Sequence, residues 1–325
     1  MRAISLPPVP YDATAVRPDW AQLPSALREA IERRLGAPVL GAASAGGGFT
    51  RGFAAVLRTA TGDRAFVKAA PSGEPLADWY AREAAVTAAL PARVRAARPR
   101  WTMHAAGHFV LCLDAIDGRV PGLPWRAADL DAALQAWATA AEALRRPSPQ
   151  LLSLGLPNLP DVLRGDLAHW SGIAAGRDPM PPGPPCRLTR VAELAALEQA
   201  LPEYAAGDGM VHGDLRLDNV LLDPDGAAWL CDWTWPCLGA PWFDTVTLLV
   251  TAYASGLDVD RLLAGHPTAH GVPAEAVDGA LAALSGYWLG RAAGRSSTAS
   301  PHSRAHQRFS GDQAMAWLAE RRGWS

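Results

Sequence analysis

The chain has 325 residues and a mass of 34.3 kDa, enough for one large core or two unequal lobes. Its formal net charge of -2 comes with no basic block and no acidic tail, which argues against a nucleic-acid partner. With 49% hydrophobic residues the chain needs no cross-links, and no apolar run approaches the roughly 18 residues of a membrane span.

The N-terminal stretch MRAISLPPVPYDATAV carries prolines where a secretion signal would place its apolar run, so it reads as a mobile lead-in. A helix is expected over PSALREAIERRL, closed by Gly36. Strands follow at 38–43, at 52–59 (GFAAVLRT) and, after the turn TGD, at 64–70 (RAFVKAA). Residues 75–90 suit a helix with Trp79, Ala84, Val86 and Leu90 as its buried stripe, and HFVLCLDAI over 108–116 suits another buried strand. Beyond it helical patterns dominate, at 126–145, 190–205, 243–255, 274–293 and 311–322. Prolines punctuate a loop at 180–186, and one strand–turn–strand island, NVLLDPDGAAWLCDW, interrupts the helices. The pattern predicts an α+β protein with a small β-rich lobe and a larger, mostly helical one.

The chemistry concentrates in Val211-His212-Gly213-Asp214-Leu215-Arg216-Leu217-Asp218-Asn219, followed by Cys231-Asp232-Trp233. Phosphoryl transfer needs such a set. One carboxylate must accept the proton of an attacking hydroxyl. A second carboxylate and an amide oxygen must hold Mg²⁺ against nucleotide phosphates. Asp214 precedes Asn219 by five residues, and Asp232 follows Asn219 by thirteen.

This run resembles the catalytic loop and metal-binding motif of the aminoglycoside phosphotransferase family, and is similar to the H-R-D-x-x-x-x-N and D-F-G set of protein kinases. The resemblance covers about residues 38–290 and implies a bilobal protein-kinase-like fold that uses ATP or GTP with Mg²⁺. Carried over by position, Asp214 is the base, Asn219 and Asp232 are the metal ligands, and Arg216 meets the transferring group. The fold also implies a lysine on the third strand, fixed by a glutamate on the next helix. Lys68, in the apolar strand Ala65-Phe66-Val67-Lys68-Ala69, and Glu83 fill those places, with Glu74 a weaker competitor.

Gly46, Gly47, Gly48 and Phe49 lie in a glycine-rich connection between two strands, where backbone N–H groups can approach phosphates. It is neither a P-loop nor a dinucleotide fingerprint. By the same resemblance Val110–Gly118 is the hinge between lobes, with the backbone of Asp114 and Ile116 at the adenine edge and Leu113 lining the pocket. His212 is expected to pack beneath the catalytic loop and Asp244 to brace it. Asp223 and Asp225 are expected to be exposed turn formers, and His302 and His306 to lie in or beside a loop, binding no metal.

The lobes are expected to divide into 1–113, which binds nucleotide (with 1–36 as lead-in and helix), and 114–325, which carries catalysis and the acceptor site. The four cysteines (Cys112, Cys186, Cys231, Cys237) lack a C-x-x-C spacing and read as reduced core residues of a cytoplasmic protein, monomeric or homodimeric. The family includes kinases for aminoglycosides, macrolides, choline, homoserine and sugars, so the partner is a small molecule bearing a hydroxyl. Acidic residues (Asp161, Asp166, Glu193, Glu203, Asp208) are too scattered to predict a polycation. The tryptophans around 229–242 either form an aromatic wall for the acceptor or fill the core. Two other readings are weighed. A catalytically silent nucleotide-binding regulator would usually have lost one of the catalytic groups. A protein kinase would need an activation segment, which this sequence lacks.

Overall fold

The structure, a computed structural model, describes residues 3–183, 189–294 and 300–324. Cys186 and part of the proline-rich loop fall outside them. Helix α1 (Ser25–Leu35) packs Leu27 and Ile31 against one face of a five-stranded antiparallel sheet. That sheet runs β1-β2-β3-β5-β4, from β1 (Val39–Ser44), β2 (Phe53–Thr59), β3 (Arg64–Pro71), β4 (Pro99–Ala105) and β5 (His108–Asp114). Alternation sets its two faces. In β2 and β3, Phe53, Ala55, Leu57, Ala65, Val67 and Ala69 turn toward α1, while Phe66 and Ala70 turn toward helix α2 (Pro75–Ala89). Strand β4 escaped the sequence reading, because two arginines and a proline at 98–100 break its apolar pattern.

The larger part is helical: α3 (Ala127–Ala143), α4 (Pro149–Leu152), α5 (Leu159–Asp166), α6 (His169–Ala174), α7 (Val191–Tyr204), α8 (Trp242–Ala254), α9 (Val259–Gly265), α10 (Ala274–Ala293) and α11 (Ser303–Arg322). Helix α10 is buried nearly all round because α6, α7, α8 and α11 surround it, and its run of Ala, Gly and Leu lets them approach closely. Two short ladders, β6 (Met210–Val211) with β9 (Cys237–Leu238) and β7 (Val220–Leu222) with β8 (Ala228–Leu230), carry the catalytic motifs. The fold is thus α+β and bilobal, as expected.

Several expectations change. Trp79 is not in the buried stripe of α2: it is 36% exposed and sets its ring edge-on to Trp235 at 5.2 Å, across the lobes. Asp223 is not an exposed turn former; its carboxylate accepts from Ala227 N and Trp229 Nε1 and so closes the turn, whereas Asp225 is exposed. Helix α11 starts at Ser303 rather than 311, with His302 at its cap and His306 buried. Nor is the N-terminal stretch a free lead-in: Tyr11 and Thr14 are buried, and Ser5 N donates to Ala254 O at the end of α8. Prolines that break regular structure mislead here, since they are compatible with a well-packed extended segment. Cys112, Cys231 and Cys237 are free thiols. Among the described residues no helix is long and apolar enough to cross a membrane.

Candidate active site

The catalytic loop begins where β6 ends. Its backbone amides have no ladder partner there, and a buried carboxylate from α8 supplies one: Asp244 accepts from His212 N at 2.6 Å and from Gly213 N at 3.1 Å. Burial pushes the Asp244 carboxyl up to about 7 against those bonds. Gly213 has φ +78, and a Cβ there would sit 2.1 Å from Trp235 O, so no other residue fits this turn. His212 is placed beneath the loop. Its Nδ1 accepts from Asp214 N at 3.3 Å, its Nε2 faces Cys231 O at 2.9 Å, and its ring meets Trp233. One nitrogen accepting and the other donating describes a neutral ring, and burial holds its pKa down at about 4.

The Asp214 side chain is 26% exposed. Asn219, at the end of a short 3₁₀ turn (Leu217–Asn219), donates through Nδ2 to Asp214 O at 2.7 Å and Oδ2 at 3.3 Å. That bond turns the amide oxygen of Asn219 away from the base. Burial pushes the Asp214 carboxyl up to about 7, with Arg216 opposing and the charges of Asp218 and Asp232 reinforcing. Arg216 Nη1 lies 3.2 Å from Asp214 Oδ1, while Nε and Nη2 hold both oxygens of Asp218 at 3.1 and 3.0 Å. Phe49 covers the guanidinium at 5.6 Å. Asp218, only 1% exposed, is a site residue that sequence reasoning quoted without assigning a role. The one signal for it is its place two residues after Arg216.

Asp232 follows β8 in a left-handed conformation, φ +60, which costs a non-glycine residue about 1 kcal/mol. Thr234 Oγ1 donates to its Oδ1 at 2.6 Å. Although burial opposes ionisation, Lys68 and Thr234 hold the Asp232 carboxyl below its usual range. Lys68 on β3 and Glu83 on α2 meet as expected, with Nζ 2.8 and 2.7 Å from the two carboxylate oxygens and little exposure on either side. Burial disfavours the ammonium, but Glu83 and Asp232 outweigh it and raise the Lys68 pKa. Glu74 only caps α2.

Gly46, Gly47, Gly48 and Phe49 lie between β1 and β2, and Phe49 meets the guanidinium of Arg216. Leu113 is buried against α2 at the end of β5. Asp114 N donates to Arg98 O, and its carboxylate accepts from Arg100 Nε at 2.9 Å. Ile116 follows in the connection between the lobes. Of the scattered acids, Asp161 pairs with Arg164, and Glu193 with Arg190 and Arg322. Trp233 and Trp242 are core residues, so the aromatic wall is not formed by them. No cluster of three or more His, Cys, Asp or Glu suited to a metal exists among the described residues.

The model of the phosphotransferase enzyme family matches residues 48–295. The chain belongs to this family. No curated protein matches it by sequence. Among solved structures it is similar to a thermostable mutant of aminoglycoside phosphotransferase APH(4)-Ia in its apo form, at 13% identity and a TM-score of 0.63 over 90% of this chain and 98% of that one. It is also similar to spectinomycin phosphotransferase APH(9)-Ia, at 11% identity and a TM-score of 0.63 over 91% and 99%. At such identities the likeness is one of fold, and it extends over both lobes.

Proposed function

We propose that the chain is a small-molecule kinase that transfers the γ-phosphoryl group of ATP or GTP to an acceptor hydroxyl. The observation that carries this reading is the convergence of two lobes on one set of charges. Lys68 of the small lobe is held by Glu83, and Phe49 of the same lobe covers Arg216, which reaches Asp214 in the large one. The relatives point the same way: one structure of APH(4)-Ia is a ternary complex with ADP and hygromycin B, and that of APH(9)-Ia holds ADP and spectinomycin.

In this reading residues 1–113 hold the nucleotide and 114–325 the acceptor. By the family resemblance, the backbone of Asp114 and Ile116 takes the purine edge beside Leu113. Gly46, Gly47, Gly48 and Phe49 cover the phosphates, and Lys68 positions them. The carboxylate of Asp232 and the amide oxygen of Asn219 are hard oxygen donors that fit Mg²⁺. Such an ion, when bound, neutralises charge that develops on the phosphates. Asp214 orients the acceptor hydroxyl and takes its proton as the new O–P bond forms and the bond to the leaving diphosphate breaks. Arg216 keeps the carboxylate aimed and offers positive charge to the group in transfer.

The acceptor is a small hydroxyl compound, an antibiotic or another of the family's alcohols. Of the acids named above, Asp161 and Glu193 are already paired with arginines. The test is ATP and GTP consumption against aminoglycosides, macrolides, choline and amino-acid or sugar alcohols, with Asp214→Ala as control. Turnover with one class, lost in the variant, supports the reading. Phosphorylation that survives in the variant contradicts it.

A further inference from the structure

The glycine-rich connection between β1 and β2 does not stand free above the cleft. Four consecutive carbonyls of it accept hydrogen bonds, three from the N-terminal segment and one from the chain just before α11. Ala15 N donates to Gly46 O at 2.8 Å, Arg17 Nη2 to Gly47 O at 3.0 Å, Thr14 Oγ1 to Gly48 O at 3.3 Å and Ser300 N to Phe49 O at 2.7 Å. Arg17 Nη1 adds bonds to Thr50 Oγ1 and Gly52 O, at 3.3 and 3.1 Å, so one guanidinium spans both ends of the loop. The first glycine is required by this contact: a Cβ on Gly46 would lie 2.0 Å from Asp12 O.

The other end of the segment is fixed to the helical lobe. Ser5 N donates to Ala254 O, and Gln313 Nε2 to Ser5 Oγ. Between these anchors the 3₁₀ turn Tyr11–Ala13 packs on the 3₁₀ turn of the catalytic loop. The Tyr11 ring stands edge-on to His306 at 4.5 Å, and His306 backs Phe49, which covers Arg216. Ser300 Oγ donates to Thr14 O and ties the segment to the start of α11. Residues 5–17 therefore touch the C-terminal helices, the catalytic loop and the glycine-rich loop in turn.

We propose that this segment is a clamp that fixes the glycine-rich loop over the catalytic loop, and that Arg17 is the positioning residue that shapes the loop for the phosphates. The physical reason lies in the peptide planes. Consecutive carbonyls held outward by the clamp orient the intervening amides away from it, toward the cleft, as an anion-binding concavity requires. A loop of three consecutive glycines has much backbone entropy to lose. Here that loss is met on folding rather than when nucleotide binds, and preorganisation of this kind raises affinity for the phosphates alone. Arg17 suits the task because a planar guanidinium reaches three acceptors at fixed angles, which an ammonium does not.

The inference rests on the nucleotide reading of the same site, and a test that needs no acceptor separates the two. Isothermal titrations of the full chain with AMP-PNP and Mg²⁺, and with adenosine, are compared for the wild type, Arg17→Ala and Arg17→Lys, with Tm as a folding control. The clamp predicts that Arg17→Ala weakens AMP-PNP about tenfold, leaves adenosine unchanged and keeps its Tm, from the loss of charge-assisted bonds to the loop. Arg17→Lys should stay near the alanine variant. Because Arg17 acts on the charges of Tyr80 and Glu83, a plain charge effect is the rival, and full rescue by lysine would overturn the clamp. An equal loss for both ligands would make Arg17 merely structural, and wild-type affinity in Arg17→Ala would remove its role altogether. Should the wild type bind neither ligand, the nucleotide reading itself falls. If Arg17→Ala does not fold, Gly46→Ala, which pushes the loop off Asp12, gives the same comparison of the two ligands.

Discussion

Two loops face each other across the cleft, and they are built by opposite means. The catalytic loop, from His212 to Asn219, holds itself. Asn219 bonds back to Asp214, Arg216 clamps Asp218, and His212 turns beneath the chain that it belongs to. From outside, the buried carboxylate of Asp244 takes up its first two amides, and Cys231 O faces His212 Nε2. The glycine-rich loop contributes little of its own. It is shaped by Thr14, Ala15 and Arg17, about 30 residues earlier, and by Ser300, about 250 residues later. Chemistry needs side chains at fixed offsets, so the first loop is dense in local bonds. A loop that receives phosphates through its backbone must be held from elsewhere.

The largest effect should come from the catalytic loop itself. Asp214→Asn removes the base and should lower kcat by about 10³-fold while nucleotide affinity stays near wild type, as steady-state kinetics and titration would show. Near-normal kcat in that variant would remove Asp214 from the mechanism.

Asp244→Ala tests whether the loop depends on the carboxylate that α8 lends it. It strips acceptors from one buried and one partly buried amide, and unfolding by urea should show a loss of about 2–5 kcal/mol. A loss below about 0.5 kcal/mol would mean that the loop holds its shape alone.

A smaller effect is expected with pH. The Asp214 carboxyl is raised to about 7 by burial, and the base works only when ionised, so kcat/KM should rise as pH increases through that value and level off above it. In rate measurements at saturating nucleotide, a profile flat from pH 5.5 to 8 would assign proton transfer elsewhere.

The smallest effect should separate the loops most cleanly. Gly46→Ala should weaken nucleotide several-fold with kcat at saturation little changed, since it alters the loop that receives phosphates and not the base. A matching fall in kcat would show that the two loops move as one.

The same contrast governs what could be read from the sequence. Asp214, Asn219 and Asp232 stand within one stretch at fixed spacings, and Lys68 is conspicuous as a charge in an apolar strand, so these were legible. The Glu83 partnership followed from placing it on the next helix. Asp218 was overlooked because an acidic residue two positions from an arginine is ordinary in a loop. The clamp was illegible for a different reason: prolines and small residues mark an absence of helix and strand, not an absence of contacts. Trp79 misled because helical periodicity marks a face, and here that face meets Trp235 of the other lobe while remaining partly open. Strand β4 was missed because Arg98 turns its guanidinium back onto the carbonyls of Thr87, Leu90, Pro91 and Val94, a role that reads as polar loop.

The most direct test of the central claim is nucleotide binding with and without Mg²⁺ in the wild type and in Asp232→Ala. The account predicts that Mg²⁺ strengthens AMP-PNP binding to the wild type by at least about tenfold, and that Asp232→Ala abolishes this gain while adenosine binds as before. A Mg²⁺ effect that persists undiminished in Asp232→Ala, or a wild-type chain that binds no nucleotide, would contradict it.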